Sequence, residues 1–331
     1  MKVVSEELVK DKKVLLRYDI DVPIENGHVM EDLRLQAGLR TLQVCLENAK
    51  EVIMMGHIGR PYGKEDPKYS VKPVYEWFEH YFQGHVPENF KLLENLRFEE
   101  GEEASSLEYA KELAALGDFF VNEAFASHNP SASTTLLPTL LPHAAGFCFA
   151  EEVEVLTEAR NNPKKPLIVI IGGAKVADKY KSVVAFSKFA DKVLVGGLLP
   201  KKIKEEKLEV SENVVLADLA SSGIDISTSS LENFIQLIKT ARQVIWAGPV
   251  GKYEDQEGLV ATRKIAETLF NSASHSDLKV IAGGGDTTAS LGKLGLLDEF
   301  LDHDNIFVST GGGAMLKLLT DGTLPTIKAL D

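Results

Sequence analysis

Basic side chains in the first half of the chain stand next to the ends of predicted strands. They are Arg17, Arg34, His57, Arg60 and Arg97. Taken singly, each arginine is typical of a surface charge, and the histidine could equally be a structural one. The carboxyl ends of parallel strands meet at one edge of a sheet, where these groups would form a pocket for phosphate or carboxylate. We therefore expect an anion site in this half.

Glycines in the second half cluster directly after predicted strands. At such positions glycine lets backbone N–H groups and helix N-termini approach a phosphate, although a single pair is more often a tight turn. Neither the P-loop pattern nor the dinucleotide pattern G-x-G-x-x-G is present. For Gly196 and Gly197 alone we favour the turn, but several clusters together indicate a nucleotide site. The clusters are Gly172 and Gly173, Gly196 and Gly197, Gly248, Gly283–Gly285 and Gly311–Gly313.

Charged residues follow two of these clusters. Asp286 precedes Thr287 at the start of a predicted helix, where an aspartate is commonly an N-cap. A carboxylate beside backbone donors is also what Mg²⁺ on phosphates requires. Lys175 and Lys179 are four residues apart and could form a solvated helix face, but cations at a helix N-terminus are unfavourable unless an anion lies between them. This pattern favours bound phosphates.

Short apolar runs alternate with longer helical stretches, which predicts two Rossmann-like three-layer αβα domains with parallel sheets. A short apolar run, continuous or alternating with polar residues, indicates a strand. A longer stretch with capping residues at its ends indicates a helix. In the first half the predicted strands are Val14–Asp19, Val52–Gly56, Phe90–Leu93, Phe119–Asn122 and Gly146–Phe149. The predicted helices are Leu33–Ala49 with Asp32 as N-cap, Pro73–Phe82, Ser106–Leu116 and Glu151–Asn161. In the second half the predicted strands are Leu167–Ile171, Lys192–Val195, Val214–Ala217, Val244–Trp246, Val280–Ala282 and Ile306–Val308.

Composition narrows the functional class. The 331 residues are 44% hydrophobic and 26% charged, and the net charge is −13. Such a charge disfavours nucleic acid and anionic membranes as partners. We expect a cytoplasmic protein, because we find no signal peptide or run of membrane-spanning length. Cys45 and Cys148 lie in apolar contexts and are interpreted as core thiols.

Ten segments, in order, resemble phosphoglycerate kinases along almost the whole chain. Jointly the match is highly specific. The resemblance implies an acid-substrate domain over residues 1–150, a hinge helix and linker over 151–165, a nucleotide domain over 166–315, and a segment over 316–331 that returns to the first domain. The segments are RYDIDVP, EDLRLQA, GHIGRP, LENLRFEEGEE, FFVNEAFASH, AGFCFAEEVEVL, IIGGAKVADK, VIWAGPVGKYE, IAGGGDTTA and VSTGGGAMLKLL.

What the resemblance implies is a monomeric, Mg²⁺-dependent, hinge-bending kinase of glycolysis. It would transfer a phosphoryl group reversibly between 1,3-bisphosphoglycerate and ADP, giving 3-phosphoglycerate and ATP. The implied catalytic groups are Arg34, Lys175, Gly284 and Gly285, and Asp286 would hold the metal. The implied substrate-binding residues are Arg17, Asp19, Asp21, Arg34, His57, Ile58, Gly59, Arg60, Arg97 and Asn129. The implied nucleotide-binding residues are Gly173, Ala174, Lys175, Lys179, Gly197, Pro249, Glu254, Gly283, Gly284, Gly285, Asp286 and Thr287.

Several positions depart from the family pattern. Asp21 replaces an asparagine and Asn129 an arginine, so we expect weaker binding of an anionic substrate. Ala247 replaces an asparagine, and the stretch between Gly197 and Asp225 is much shorter than usual, which predicts a trimmed domain with a more open nucleotide site. Two alternatives therefore stay open: a related kinase for another small carboxylate, and a non-catalytic nucleotide-binding homologue.

Overall fold

The computed structural model of the protein describes residues 1–173 and 176–331. The chain forms two compact units, one of Met1–Val155 with Thr323–Asp331 and one of Leu156–Gly322. The division lies five residues beyond the predicted end of the first domain. The returning segment begins at Thr323 rather than at residue 316, because the helix that ends at Asp321 packs within the second unit.

The first unit is built on a five-stranded sheet in the order β5-β4-β1-β6-β7, and each of these pairs is parallel. Its three central strands are mainly apolar and almost entirely buried, as expected for a sheet covered by helices on each side. A small antiparallel hairpin, β2-β3, follows β1. The strands are β1 (Lys13–Tyr18), β2 (Ile24–Glu25), β3 (His28–Val29), β4 (Glu51–Met55), β5 (Phe90–Leu92), β6 (Phe119–Glu123) and β7 (His143–Ala145).

Helices cover this sheet and connect its strands. They are α1 (Glu6–Val9), α2 (Leu33–Ala37), α3 (Leu39–Asn48), α4 (Lys72–Tyr81), α5 (Glu100–Glu103), α6 (Leu107–Ala114) and, near the end of the chain, α15 (Pro325–Lys328). α15 packs on a π-helical turn at Ala132–Leu136. α7 (Phe147–Asn161), which follows β7 in the chain, contains the division between the two units.

The prediction of one helix over Leu33–Ala49 was wrong, because the helix breaks at Gly38. The Tyr18 ring lies so close to this glycine that an added Cβ would clash with it. Asp32 was predicted as the N-cap of this helix, but its side chain makes no capping hydrogen bond. Its carboxylate accepts hydrogen bonds from Gln36 and Trp77 instead.

The predicted strand at Gly146–Phe149 was also wrong, since the last strand ends at Ala145 and α7 begins at Phe147. The cause lies far away in the sequence. Glu123 accepts hydrogen bonds from the backbone N–H groups of Cys148 and Phe149, and Thr41 accepts one from Phe147. These acceptors provide partners for the backbone N–H groups of the first helical turn, which have none within the helix.

The second unit is built on a six-stranded parallel sheet in the order β10-β9-β8-β11-β12-β13. All six predicted strands of this half are confirmed to within one residue at each end, because buried parallel strands are continuous apolar runs. The strands are β8 (Leu167–Ile171), β9 (Lys192–Val195), β10 (Val214–Leu216), β11 (Gln243–Ala247), β12 (Lys279–Gly283) and β13 (Ile306–Ser309).

The helices of the second unit are α8 (Val176–Phe186), α9 (Leu199–Glu205), α10 (Thr228–Ile238), α11 (Val260–His275), α12 (Gly285–Leu294), α13 (Leu297–Leu301) and α14 (Gly312–Asp321). The core between sheet and helices is centred on Trp246, Phe234 and Phe300, all fully buried. Two α/β units with parallel sheets confirm the predicted fold class. Among the described residues, no helix combines the length and the apolar character needed to cross a membrane.

Candidate functional site

His57 lies directly after β4, at the carboxyl edge of the first sheet, and its side chain is buried. Its Nδ1 lies 2.8 Å from Nη2 of Arg17, which belongs to β1. Burial lowers the pKa of His57 well below its usual value, and nearby arginines lower it further. The ring is therefore neutral at neutral pH.

Four guanidinium groups surround this histidine closely enough to depress its pKa: Arg17, Arg97, Arg34 and Arg60. Parallel strands bring residues from distant parts of the sequence to one edge, as predicted. Arg60 is exposed, whereas Arg17 is almost completely buried. The cluster is a region of positive potential in a protein of net charge −13, and such a region attracts anions.

Asp21 places a carboxylate inside this cluster. Its Oδ1 accepts a hydrogen bond from the backbone N–H of Gly59 at 2.8 Å, and its Oδ2 lies 3.8 Å from His57 Nε2. Its backbone carbonyl accepts a hydrogen bond from Nη1 of Arg34 at 2.5 Å. An asparagine could accept the same hydrogen bond from Gly59. The carboxylate therefore changes the charge of the pocket but not the position of the backbone that this bond holds.

Two other predicted substrate-binding residues, Arg97 and Asp19, make hydrogen bonds or ion pairs with other groups of the protein. Arg97 donates to the carbonyl of Gly59 at 2.8 Å and pairs with Glu103 at 3.2 Å. Asp19 is buried and accepts a hydrogen bond from the N–H of Ala126 at 2.9 Å. These contacts hold the loops that follow the strands in place.

The remaining predicted substrate residues lie at opposite extremes of exposure. Ile58 is buried, and its carbonyl accepts a hydrogen bond from Asn95. Asn129 is exposed, and its carbonyl accepts one from Thr134.

A cavity of about 470 Å³ opens at the carboxyl edge of the second sheet. Five predicted nucleotide residues line it. The sequence did not indicate the apolar wall of this cavity, which suits an aromatic base. The predicted lining residues are Gly173, Gly197, Pro249, Glu254 and Asp286; the others are Leu198, Leu219, Gly223, Ile224, Gly251, Lys252 and Tyr253. Four of these lie between positions 197 and 225, so the segment that was predicted to be shortened forms one wall of the cavity.

Glycines beside this cavity leave room for a cation. The Lys179 ammonium group donates a hydrogen bond to the carbonyl of Gly172. A Cβ at Gly173 or Gly248, both at positive φ, would clash with that ammonium group. Two other predicted nucleotide residues, Ala174 and Lys175, lie outside the described residues.

Two helix N-termini converge next to the cavity. Gly284 precedes α12 at φ +107°, and a Cβ added to Gly312 at the start of α14 would clash with the Cα of Gly284. The first N–H groups of a helix lack partners within the helix, and its dipole is positive there, so paired N-termini favour bound anions. The sequence predicted that the cluster around Gly312 belongs to a nucleotide site, but its contact with Gly284 depends on the fold and could not be predicted.

The predicted phosphate contact of Thr287 is not what its hydroxyl makes in the structure. That hydroxyl is fully buried, accepts a hydrogen bond from the N–H of Gly248 at 2.8 Å and donates one to the carbonyl of Gly283 at 2.8 Å. It therefore ties two glycine-rich loops together.

The donor set fits a metal that arrives with a phosphorylated ligand. Asp286 lies in the first turn of α12 and lines the cavity. Among the described residues, no three His, Cys, Asp or Glu side chains form a cluster that could hold a metal ion. Because Mg²⁺ is commonly held by one or two carboxylates together with phosphate oxygens, a single aspartate beside anion-binding N-termini suits it.

Fold and site together define a class of protein. The protein has two α/β units with parallel sheets, one with an arginine-rich pocket and one with a glycine-lined cavity. This combination is typical of enzymes that handle phosphorylated ligands. The family model for phosphoglycerate kinase matches residues 4–219 and 200–322, and the chain belongs to that family. It is therefore a kinase.

Individual relatives agree over nearly their full length. The chain is 33% identical to the phosphoglycerate kinase of Chloroflexus aurantiacus and 29% identical to that of Leptospira biflexa, covering 96% and 98% of those proteins and 96% and 99% of itself. Among solved structures, phosphoglycerate kinase from Pyrococcus horikoshii superposes with a TM-score of 0.84 at 25% identity, covering 100% of this chain and 98% of that one. The Coxiella burnetii enzyme gives 0.79 at 28%, covering 99% and 98%.

Proposed function

We propose that the protein catalyses the reversible transfer of a phosphoryl group between 1,3-bisphosphoglycerate and ADP, giving 3-phosphoglycerate and ATP. The observation that carries this proposal is the arginine cluster around His57 in a kinase whose other unit has the glycine-lined cavity. As in other glycolytic kinases, we expect it to act in the cytoplasm, and we expect a monomer that requires Mg²⁺.

The acceptor acid would bind in the first unit. We assign the direct contacts with the acid to Arg34 and Arg60. Arg60 is exposed, and Arg34 is partly buried with its Nη1 donating to the carbonyl of Asp21. Arg17 is almost completely buried, and Arg97 pairs with Glu103. A guanidinium can hold a phosphate or carboxylate with two parallel hydrogen bonds. Asp21 would oppose this binding through its charge.

The nucleotide would bind in the second unit. The apolar wall with Tyr253 would hold the base, and Glu254 would face the ribose hydroxyls. The N–H groups at Gly284 and Gly285 and the ammonium groups of Lys175 and Lys179 would hold the phosphates. Mg²⁺ held by Asp286 would neutralise phosphate charge.

The chemistry needs no general base in the direction that consumes ATP. The nucleophile is a carboxylate with a pKa of about 4, which is ionised at neutral pH. What the protein must supply is alignment and positive charge around the moving phosphoryl group, the role proposed for Arg34 and Lys175. Direct transfer also requires the two bound ligands to approach each other during turnover, while water is excluded.

The test is a coupled assay of the purified protein with 3-phosphoglycerate and Mg-ATP. We expect turnover that Arg34→Ala reduces by about a hundredfold or more, since positioned charges contribute this much to related transition states. Arg263→Ala, on an exposed arginine of α11, is the matched control and should retain full activity. A wild-type protein without turnover would refute the proposal, and full activity of Arg34→Ala would refute the assigned catalytic role.

A kinase for another small carboxylate is the second candidate. The observation that favours it is the Asp21 carboxylate, 3.8 Å from His57 in the acceptor pocket, where it would favour a less anionic acid. A panel of carboxylic acids with and without phosphate, assayed with Mg-ATP, separates the two candidates by their kcat/KM values.

A further inference from the structure

We propose that Glu102 and Ser133 are positioning residues for His57: through Arg17 they fix which ring nitrogen carries the proton. Glu102 lies within the segment LENLRFEEGEE, which gave it no role, and Ser133 lies outside the ten segments. The four residues form a continuous buried chain of hydrogen bonds that runs from α5 to the end of β4. The kinetic part of the inference rests on the proposed function, whereas its structural part does not.

The chain begins at Glu102, a carboxylate that is only 1% exposed. Its Oε1 accepts hydrogen bonds from the hydroxyls of Ser133 at 2.6 Å and Ser131 at 2.7 Å, and its Oε2 accepts one from the N–H of Ser133 at 3.0 Å. A buried carboxylate needs such donors, because an isolated charge in the interior is costly.

The hydrogen bond to Glu102 orients the Ser133 hydroxyl, and this hydroxyl in turn accepts a hydrogen bond from Arg17. A hydroxyl has one proton and two lone pairs, so a serine that donates to Glu102 presents its lone pairs elsewhere. Arg17 Nε donates to the Ser133 oxygen at 3.0 Å, and Nη1 donates to the carbonyl of Tyr18 at 2.7 Å. Burial lowers the pKa of Arg17, and Glu102 is the strongest of the charges that oppose this shift.

The guanidinium of Arg17 then determines which tautomer the His57 ring adopts. Arginine has donors and no acceptor, so Nη2 can only donate to Nδ1 across the 2.8 Å that separate them. Nδ1 is therefore unprotonated, and in the neutral ring the proton lies on Nε2. An Nε2–H group can donate to an anionic acceptor acid, whereas the opposite tautomer would present a lone pair that repels it.

The first measurement is long-range ¹H–¹⁵N NMR of the histidine rings in the full-length protein, with His57 assigned by comparison with His57→Gln. We expect the wild type to show the Nε2–H tautomer. Ser133→Ala removes the acceptor for Arg17 Nε, and Glu102→Gln replaces one acceptor oxygen by an NH₂ group that cannot accept from Ser133. In both variants we expect a mixture of tautomers.

The second measurement is steady-state kinetics. We expect KM for 3-phosphoglycerate to rise about tenfold in both variants, the effect of losing one hydrogen bond to an anion, with kcat changed less than about twofold. Circular dichroism checks folding, and Glu102→Gln decides the matter if Ser133→Ala does not fold. Thr135→Ala is the matched control, because the Thr135 hydroxyl donates only to the backbone carbonyl of Ser131, at 2.8 Å.

The outcomes separate the two proposals. Folded variants that keep a pure Nε2–H tautomer would overturn the positioning role, and so would a Thr135→Ala variant that changes the tautomer equally. A wild type with the expected tautomer, lost in both variants, but without turnover would support the positioning role and refute only the proposed reaction.

Discussion

Asp21 accepts a hydrogen bond from the backbone amide of Gly59 at 2.8 Å, while its second oxygen lies 3.8 Å from Nε2 of His57. One carboxylate thus has two separable effects. Its first oxygen holds a loop residue at φ +60°, and its second adds negative charge to a pocket built for anions. A substitution that keeps the hydrogen bond and removes the charge separates these effects.

Asp21→Asn is that substitution. The amide oxygen can still accept from Gly59, so we expect unchanged stability and a KM for 3-phosphoglycerate that falls about threefold to tenfold, as expected for removing a partly solvated like charge. Initial rates across substrate concentrations measure it. Glu7→Gln, at an exposed glutamate of α1, should leave KM as it is. An unchanged KM in Asp21→Asn would show that the charge does not act on the substrate.

Glu123 should make stability depend on pH. Burial raises its pKa from 4.5 to about 7. A group whose folded-state pKa is raised contributes stability that is fully present below about pH 4.5 and is lost as pH rises to about 7. Glu123→Gln cannot ionise, so between about pH 5 and pH 8 we expect the unfolding free energy of the native protein, relative to the variant, to fall by up to about 3 kcal/mol.

Urea denaturation at several pH values measures this difference. Glu108→Gln, on an exposed glutamate of α6, is the control and should track the native protein at every pH. Parallel curves for the native protein and Glu123→Gln would mean that the buried carboxylate does not ionise in this range.

Gly312 should be needed for the convergence of α12 and α14. A Cβ at this position would clash with the Cα of Gly284, so Gly312→Ala must push the two N-termini apart. We expect nucleotide affinity, measured by calorimetry with Mg-ATP, to fall at least about tenfold, because each N-terminus contributes to anion binding. Affinity for 3-phosphoglycerate should not change.

Gly292→Ala provides the matched control for that substitution. It lies inside α12, and apart from the neighbouring backbone of that helix no atom comes within 4 Å of an added Cβ. Alanine there should stabilise the protein by about 0.5–1 kcal/mol and leave nucleotide binding intact. If Gly312→Ala binds nucleotide as tightly as Gly292→Ala, the paired N-termini are not part of the site.

Thr287→Val should destabilise the second unit, because it removes the hydroxyl that accepts from Gly248 and leaves a buried N–H without a partner. The expected loss in unfolding free energy is about 1–3 kcal/mol, measured by thermal and urea denaturation. Thr288→Val is the comparison, since that hydroxyl donates only to carbonyls of its own turn, at 3.1 and 3.4 Å. Equal losses in the two variants would argue against a special role for the Gly248 contact.

The sequence predicted the fold well where local pattern and final environment coincide. Strands such as Leu167–Ile171 are buried on both faces, so an unbroken apolar run was a sufficient signal. At Phe147–Phe149 the same reasoning failed. Aromatic residues there favour a strand locally, but the acceptors on Glu123 and Thr41, which are distant in sequence, stabilise a helix start.

The candidate site shows the same limit. Residues after strands could be placed at one edge, because parallel topology alone brings Arg17 and His57 together. Which side chains remain available for a ligand could not be predicted, since it depends on partners such as Glu103 for Arg97. The positioning chain through Ser133 left no sequence signal, because a serine followed by a threonine is an ordinary feature of a loop.

The return of Thr323–Asp331 to the first unit affects the order in which the protein folds during synthesis. This segment contributes Leu324, Thr326 and Leu330 to the buried interior. The second unit is continuous in sequence and can complete its contacts as soon as Gly322 has left the ribosome. The unit that is translated first is therefore the last to be finished, because its interior lacks these three side chains until the end of the chain is made.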